Sequence, residues 1–279
     1  MSSIEASTTA FFFQIIRLGR FLIMACKKPV VKGSLLKHLA WWKRYANHTI
    51  ADIIENGYRI PFTEFPPQSF SLNNLSAKKH SEFVEKTIGE LLETGAIVRV
   101  HNMPHVVNPL TVAENSTKLR LVLDLRWVNP YVDLAVMKFE DVSVASQYFQ
   151  KNQLISTFDL QSGYHHIDMC ADQQTLLGFK WDYQGIPSFF QYTVLAFGLR
   201  SAGLAFTKVL RVLVKKWRSQ GLMVVLYIDD GIILSNENNA FDNVITIRED
   251  LKNAGFLVNE EITLDAFKTS SLVRFQIEL

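Results

Sequence analysis

Cysteine is scarce in this sequence, which has only two among 279 residues, Cys26 and Cys170. Two cysteines argue against a disulfide scaffold and against a structural zinc site. The chain also lacks a large charge of one sign, because its formal net charge is +2. Binding to nucleic acid would therefore depend on local basic patches rather than on a general positive field. The cysteine usage fits a reducing, intracellular setting, cytoplasmic or nuclear, and we expect no secretion.

A hydrophobic run long enough to span a membrane is missing as well. Residues 8–28 are rich in apolar side chains, but Arg17, Gly19 and Arg20 divide them. Neither half approaches the roughly 20 residues that a span needs. Glu5 is the only charged residue before Arg17, so the segment lacks the basic start of a signal peptide. We interpret it as an amphipathic helix or an extension outside the folded domain, and expect no membrane association.

Hydrophobic residues are plentiful, at 48% of the chain, which is ample for a core. The length allows one large or two modest domains. Clusters of basic residues are candidate contacts to nucleic acid, although each also fits a solvated surface. These clusters are Lys27-Lys28, Lys43-Arg44, Lys78-Lys79 and Lys215-Lys216 with Arg218.

The sequence is organised around MVVLYIDDGIIL, residues 223–234, an apolar run interrupted by two adjacent carboxylates. The β-branched and aliphatic residues on both sides predict two strands that are buried on both faces. Asp-Asp-Gly supplies turn residues between them, so we predict a β-hairpin with Asp229 and Asp230 at its tip. Taken alone, this pattern also fits a purely structural turn.

A second apolar run, LISTFDL at residues 154–160, also carries an acid, and it predicts a buried strand with Asp159 at its carboxyl end. A buried carboxylate is costly unless it is paired or binds a metal, and no Lys or Arg lies near these acids in sequence. Three carboxylates at the ends of neighbouring strands form an oxygen-rich site suited to Mg²⁺. Two such ions about 4 Å apart activate a hydroxyl and stabilise leaving pyrophosphate, which is polymerase chemistry.

Four ordered motifs resemble the reverse transcriptases of retroelements. In that family the acid of FDL-x-x-GY and the pair of Y-x-DD hold the metal ions, and they match Asp159, Asp229 and Asp230. Residues 195–206, LAFGLRSAGLAF, are similar to the family's LPFGL-x-x-AP-x-x-F. Residues 119–132, LRLVLDLRWVNPYV, are similar to its R-x-V-x-D-x-R-x-LN. The resemblance implies two Mg²⁺ ions, with Mn²⁺ as an alternative.

A weaker similarity precedes these motifs. Residues 38–62 are reminiscent of the region ahead of the polymerase in DIRS-type, tyrosine-recombinase retroelements. The family resemblance as a whole extends over about residues 92–275 and is strongest over residues 108–234.

The resemblance also implies residues that contact the triphosphate of the incoming nucleotide. Arg120 matches a family arginine that reaches these phosphates, a role suited to a planar, permanently charged group. Retroviral members have a lysine earlier in the same hairpin, where this chain has Ala113, so Lys118 is the candidate substitute. An exposed strand arginine without a ligand is the alternative for Arg120.

Three further residues match positions that contact the nucleotide in the family. Tyr164 corresponds to the aromatic residue that closes against the ribose 2′ position, where a hydroxyl distinguishes RNA from DNA substrates. Phe197 and Gly198 correspond to a nucleotide-facing turn, where glycine lets the backbone approach a ligand closely. Plain packing for Tyr164 and an ordinary turn at Gly198 are the alternatives.

Apolar periodicity predicts the helices of the chain. We expect helices over residues 35–57, ending at Gly57; from Ser76 or Ser81 to a stop at Gly95; and over residues 201–219.

Apolar and polar residues alternate over residues 97–129, with turn residues at 114–116, which predicts a β-hairpin. The Pro- and Asn-rich residues 61–74 predict a linker. Three pairs of side chains are interpreted as structural rather than functional. They are Trp41-Trp42, with base stacking as the alternative, Asp124-Arg126 and His165-His166.

Departures from the family near the end of the chain predict weak activity. The family lysine thought to protonate the leaving pyrophosphate is replaced by Ile262, and Lys268 is the nearest substitute. Only Val273 and Phe275 match the primer-gripping segment, and we expect that a thumb is missing. We therefore expect distributive synthesis.

These observations predict an α+β fold with a right-hand polymerase palm and fingers and with the thumb missing. The expected division is an N-terminal helical extension and linker (1–75), a fingers-like region (76–153) and a palm (154–279). The predicted function is RNA-directed DNA synthesis on an RNA or DNA template with a primer and deoxynucleoside triphosphates. A decayed domain that binds nucleic acid without copying it and a carboxylate-metal hydrolase are the two rival functions.

Overall fold

The computed structural model describes residues 29–115, 118–133, 147–148, 150, 153–160, 162–228, 230–258 and 267–268. Its mixture of helices and sheets confirms the predicted α+β class. Asp229, the predicted N-terminal segment 8–28, Ile262 and the primer-gripping segment at Val273 and Phe275 lie outside the described residues. Within the described residues, no helix has both the length and the apolar character to cross a bilayer.

The described residues form six α-helices, joined by several short 3-10 turns. They are α1 (Leu39–Tyr45), α2 (His48–Asn56), α3 (Leu75–Lys79), α4 (Ser81–Glu93), α5 (Ala202–Ser219) and α6 (Ala240–Asn253). The 3-10 turns are Leu36–His38, Asn129–Tyr131, Gly163–His166 and Ala171–Leu176. The predicted helix over residues 201–219 is confirmed by α5, whose predicted apolar stripe from Phe206 to Trp217 is buried.

The single helix predicted over residues 35–57 is wrong, because the chain breaks between α1 and α2. Ala46 is extended, and the Asn47 side chain accepts a hydrogen bond from the Ile50 backbone N–H at 3.0 Å, which starts a new helix. Asparagine favours such a cap over a helix interior, because its side chain competes for backbone N–H groups. Gly57 ends α2 with a φ of +84°, as predicted.

Trp42 in α1 is a core residue, as its structural interpretation predicted. Its side chain is 0% exposed, and its indole N–H donates to the Ala254 carbonyl at 2.9 Å. Trp41 is half-buried and packs edge-to-face on Trp42, with ring centroids 5.0 Å apart. The tryptophan pair therefore ties α1 to the end of α6.

The strands form two larger sheets and one separate hairpin. They are β1 (Ser69–Phe70), β2 (Ile97–Val100), β3 (Val106–Asn108), β4 (Leu110–Asn115), β5 (Lys118–Leu123), β6 (Leu154–Asp159), β7 (Gly178–Tyr183), β8 (Ile186–Tyr192), β9 (Met223–Tyr227), β10 (Asp230–Ser235) and β11 (Phe267–Lys268). One sheet has the order β1-β3-β7-β8-β2 and the other β11-β6-β10-β9. The hairpin predicted within residues 97–129 is confirmed by the antiparallel pair β4-β5.

The segment 61–74, predicted to be a linker, is mostly irregular but is held to the sheets. Its strand β1 pairs in parallel with β3. The Asn73 amide donates to the Lys180 carbonyl at 2.8 Å and accepts from the Leu110 N–H at 2.9 Å. These partners are distant in sequence, so the local composition did not reveal them.

One buried apolar cluster joins the described elements. It contains Trp42 of α1, Leu123 of β5, Phe158 of β6, Phe179 of β7 and Trp217 of α5. The ring of Phe158 packs edge-to-face on Trp217, with centroids 6.1 Å apart. The four-stranded sheet that carries Asp159 and Asp230 is thus supported by α5. The division of the chain at residues 75 and 153 stays a prediction.

Candidate active site

The predicted hairpin at residues 223–234 is confirmed by β9 and β10, which pair antiparallel. Strand β9 ends at Tyr227 and β10 begins at Asp230, so Asp230 lies at the tip. The residues from Val224 to Leu226 and from Gly231 to Ser235 are buried, which agrees with the predicted burial on both faces. At its tip, this otherwise buried hairpin carries the half-buried carboxylate of Asp230.

Gly231 does not supply the turn, contrary to the prediction. It lies inside β10 opposite Phe158, without a positive φ, and a Cβ atom at this position would overlap the Phe158 ring. The residue with a positive φ is Ile228, at 56°. A β-branched residue in this region is strained, by on the order of 1–3 kcal/mol, and such strain occurs mainly at functional sites.

Asp159 and Asp230 are directly opposite each other on β6 and β10. Directly opposite residues of an antiparallel pair have Cα atoms about 5 Å apart, and their side chains leave the sheet on the same face. Two carboxylates in this position repel each other, and a divalent cation between them would remove the repulsion. Both are half-buried, which leaves room for ligands from solvent or substrate. The donor set therefore fits a Mg²⁺ or Mn²⁺ site.

Tyr164 follows β6 in the 3-10 turn Gly163–His166 and contacts the predicted nucleotide-facing turn. Its ring centroid lies 4.9 Å from that of Phe197 and 5.3 Å from that of Phe206 in α5. Phe197 is 46% exposed, whereas Phe206 is fully buried. Tyr164 is thus fixed from behind by the core and has an exposed aromatic neighbour in front. The exposed Phe197 ring next to Tyr164 offers an aromatic surface to a flat or ring-shaped ligand.

Gly198 brings the same turn against the β4-β5 hairpin. It has a φ of +110°, and a Cβ atom here would overlap the Leu123 carbonyl oxygen and lie 3.6 Å from Cγ1 of Val122. Glycine is therefore required by both the backbone conformation and the close approach. Because side chains alternate along a strand, Lys118 and Arg120 share the face of β5 that carries Val122. Both side chains are exposed.

Ring and backbone contacts connect three of the predicted site residues to the β4-β5 hairpin. They run from Tyr164 to Phe197 and the adjacent Gly198, and from there to the face of β5 that bears Arg120, whereas Asp159 ends the strand that precedes Tyr164. Asp229 belongs to the predicted set but lies outside the described residues. The structure therefore places the face of β5 that bears Arg120 beside this aromatic turn, and it pairs the two described acids at the end of β6.

His166 is structural, as predicted. It is 1% exposed; its Nε2 accepts from the Leu257 N–H at 2.9 Å, and its Nδ1 lies 3.1 Å from the Gly163 carbonyl. This pattern requires the neutral ring with the proton on Nδ1. Burial lowers the pKa of His166 to about 4.

Within the described ranges no group of three His, Cys, Asp or Glu residues is arranged to hold a metal.

Asp124 and Arg126 form the predicted ion pair, with Nη2 and Oδ2 2.6 Å apart. The hydrogen bonds from Arg126 hold the pKa of Asp124 below its usual value. Asp124 also accepts from the Asn74 amide at 3.1 Å, so the pair fastens the end of the hairpin to the 61–74 segment.

Part of the basic cluster at residues 215–218 has a structural role. Lys216 forms an ion pair with Asp250 of α6 at 2.6 Å, and both side chains are largely buried. Arg218 donates to the Val224 carbonyl at 2.7 Å. These contacts hold α5 against α6 and β9, so neither side chain is available as a mobile phosphate contact.

Lys268 lies at the wrong end of the sheet to act beside the acids. It pairs with Leu154, the first of the six residues of β6, whereas Asp159 is the last. This separation is about 16 Å along the strand. The proposal that Lys268 replaces the missing family lysine is therefore not supported by its backbone position.

Sequence reasoning did not assign a role to Asn129, although this residue lies in the matched 119–132 motif. Its side chain contacts the backbone of Gly198 and Arg200. An asparagine directly before Pro130 at the end of a strand motif is a signal for a side chain that bonds to backbone groups. The partner, however, lies 69 residues away and is visible only in the fold.

The comparisons of this chain with known proteins agree on one family. Residues 112–266 match the family model described as reverse transcriptase (RNA-dependent DNA polymerase). The chain is 27% identical over 190 residues to the retrovirus-related Pol polyprotein from transposon gypsy of Drosophila melanogaster, covering 66% of this chain and 18% of that protein. It is 22% identical over 210 residues to the transposon Tf2-3 polyprotein of Schizosaccharomyces pombe, covering 75% of this chain and 15% of the relative. The chain thus spans less than a fifth of these relatives.

Proposed function

Because the chain belongs to the reverse transcriptase family, we propose that it is an RNA-directed DNA polymerase of a retrotransposon that adds deoxynucleotides to a primer on an RNA or DNA template. The observation that carries this proposal is the pairing of Asp159 with Asp230 at the end of a buried sheet. A DIRS-type origin stays a prediction, as do the palm and fingers assignments of the four-stranded sheet and the β4-β5 hairpin.

Asp159 and Asp230, with Asp229 as the third acid implied by the motif, would hold two Mg²⁺ ions or their Mn²⁺ equivalents. When bound, such ions activate the primer 3′-hydroxyl and neutralise charge on the triphosphate. The carboxylates themselves act by position, since the β6-β10 ladder fixes their backbones before the substrate arrives.

Arg120 and Lys118 would bind the triphosphate from the hairpin side. Both cations lie on the face of β5 that borders the Phe197-Gly198 turn. The planar arginine fork suits phosphate oxygens, whereas lysine acts as a point charge. This assignment explains why an exposed strand carries two positive charges on the side next to this turn.

Tyr164 would pack against the sugar of the incoming nucleotide and exclude a 2′-hydroxyl. Its ring is held from behind by Phe206, so it cannot easily retreat. A rigid ring at this point would discriminate between deoxyribonucleotides and ribonucleotides by steric exclusion of the 2′-hydroxyl. A ribonucleotide could avoid the clash only by moving away from the Phe197-Gly198 turn. Phe197 and Gly198 complete this side of the nucleotide pocket.

Primer extension on matched RNA and DNA templates with Mg²⁺ tests the proposal. The parent chain is expected to extend a DNA primer on both templates, and Asp230→Asn is expected to extend neither while still binding the duplex. Asp182→Asn is the matched control, because Asp182 is an exposed aspartate in β7 of the other sheet. Duplex binding by the parent without any extension on either template would favour the non-copying alternative.

A further inference from the structure

Asn129 uses both halves of its side-chain amide on the turn at residues 197–200. Its Nδ2 donates to the Gly198 carbonyl at 2.9 Å, and its Oδ1 accepts from the Arg200 N–H at 2.9 Å. Only one orientation of the amide satisfies both bonds, because one partner is an acceptor and the other a donor. The Asn129 side chain is therefore hydrogen-bonded to the backbone of the turn on both sides of Leu199.

The turn needs an external support of this kind. Gly198 has a φ of +110°, and its backbone lies directly against the Leu123 carbonyl. Phe197 and Gly198 are exposed, so burial contributes little to holding this part of the turn. The hydrogen bonds from Asn129 therefore act together with the packing on Tyr164 to restrain where the exposed Phe197 ring points.

Asn129 is itself fixed to the end of the β4-β5 hairpin. Its N–H donates to the Leu125 carbonyl at 2.8 Å, and the following Pro130 restricts the backbone of the 3-10 turn. Leu125 and Val128 next to it are buried in the core. The amide is therefore presented from a rigid base that continues directly from β5.

We propose that Asn129 is a positioning residue that joins the strand bearing Arg120 to the Phe197-Gly198 turn, so that both sides of the nucleotide pocket keep one relative position. This inference rests on the proposed function, because the pocket is the one assigned there. Asn129 touches neither the metal ligands nor the nucleotide in this account. It acts through the turn and, through the Phe197 ring, on Tyr164.

The chain offers a closely matched control in Asn73. Its amide also donates to a backbone carbonyl, that of Lys180, and accepts from a backbone N–H, that of Leu110. Asn73→Ala thus removes the same two types of hydrogen bond, neither of which involves a residue of the turn. A loss that is merely structural would appear equally in Asn73→Ala and Asn129→Ala.

Steady-state kinetics of deoxynucleotide incorporation is the first readout. Asn129→Ala is expected to raise KM for the nucleotide about 10-fold and to change kcat much less, because the turn no longer holds the nucleotide side of the pocket. Discrimination against ribonucleotides is expected to fall in the same variant. Asn73→Ala is expected to leave both quantities at the parent value. Asn129→Ser serves if the alanine variant does not fold.

Tryptic cleavage after Arg200 is the second readout, and it does not require polymerase activity. Arg200 is exposed and lies in the turn, so a loosened turn is expected to be cut several-fold faster in Asn129→Ala than in the parent or Asn73→Ala. If the parent incorporates no nucleotide, the proposed function fails, but this comparison still decides whether Asn129 holds the turn. Parent-like cleavage together with a parent-like KM in Asn129→Ala would overturn the inference.

Discussion

Gly231→Ala is a sensitive test of the packing beneath the carboxylate pair. Gly231 lies between Asp230 and the buried end of β10, opposite Phe158 on β6. The added methyl group would occupy the space of the Phe158 ring, which is 2% exposed and backed by Trp217 at 0% exposure. The ring therefore has no empty space to enter, and either it or the strand must move.

The expected cost follows from two opposing effects. Inserting a methyl group into a packed core costs about 1–3 kcal/mol in the free energy of unfolding. Replacing glycine with alanine at an ordinary φ raises the free energy of unfolding by about 0.4–1 kcal/mol, because the unfolded chain then has fewer conformations. The net loss is about 1–2 kcal/mol, which corresponds to a Tm lower by roughly 2–8 °C for a domain of this size.

Thermal unfolding of four proteins checks this value: the parent, Gly231→Ala, Phe158→Leu and the double variant. Because the cost of the methyl group arises from the Phe158 ring, Gly231→Ala is expected to cost less in the Phe158→Leu background than in the parent. Incorporation of nucleotides is expected to fall as well, since Asp159 and Asp230 adjoin the displaced residues. A Tm for Gly231→Ala equal to that of the parent would refute the reasoning.

Three further predictions concern single side chains. Tyr164→Val is expected to admit ribonucleotides, whereas Tyr164→Phe keeps the ring and the selectivity; an unchanged ratio of ribo- to deoxynucleotide incorporation in Tyr164→Val would make this residue plain packing. Stability is expected to fall as the pH drops from about 6.5 towards 4, because the unfolded chain protonates His166 first, and this residue contributes about 3 kcal/mol to the loss. Denaturant unfolding of His166→Asn should show a loss that is smaller by about this amount, and an unchanged slope would contradict the burial of a neutral His166. Arg120→Ala is expected to raise KM for the nucleotide at least about 10-fold, and the exposed strand residue Arg99 provides the control, since equal effects in Arg120→Ala and Arg99→Ala would contradict the phosphate role.

The parts of the fold that the sequence predicted are those with a strong local signal. The hairpin β9-β10 followed from apolar residues on both sides of two acids, and α5 from a long stripe with helical spacing. Asp159 was placed at a strand end by the same argument. In each case the apolar pattern that indicates burial lies within the element itself, over a few helical turns or a few strand residues.

The parts that the sequence did not predict depend on distant partners. Strand β1 exists because β3 is beside it, and the Asn73 amide reaches a carbonyl 107 residues away. The true role of Gly231 depends on the Phe158 ring across the sheet, so turn chemistry was a reasonable but wrong explanation. Asn47 shows a different limit, because a single capping residue outweighed the apolar period that continued through it.

In the proposed function, the Asp159-Asp230 pair holds the metal ions for nucleotide addition. Single-turnover incorporation of one deoxynucleotide on an RNA template, at saturating primer–template and Mg²⁺, tests it most directly. Asp159→Asn is expected to be at least ~10³-fold slower than the parent, with unchanged duplex affinity, because it loses a metal ligand. The Asp182→Asn control is expected to react at the parent rate. An Asp159→Asn variant that incorporates the nucleotide at near the parent rate would contradict the account.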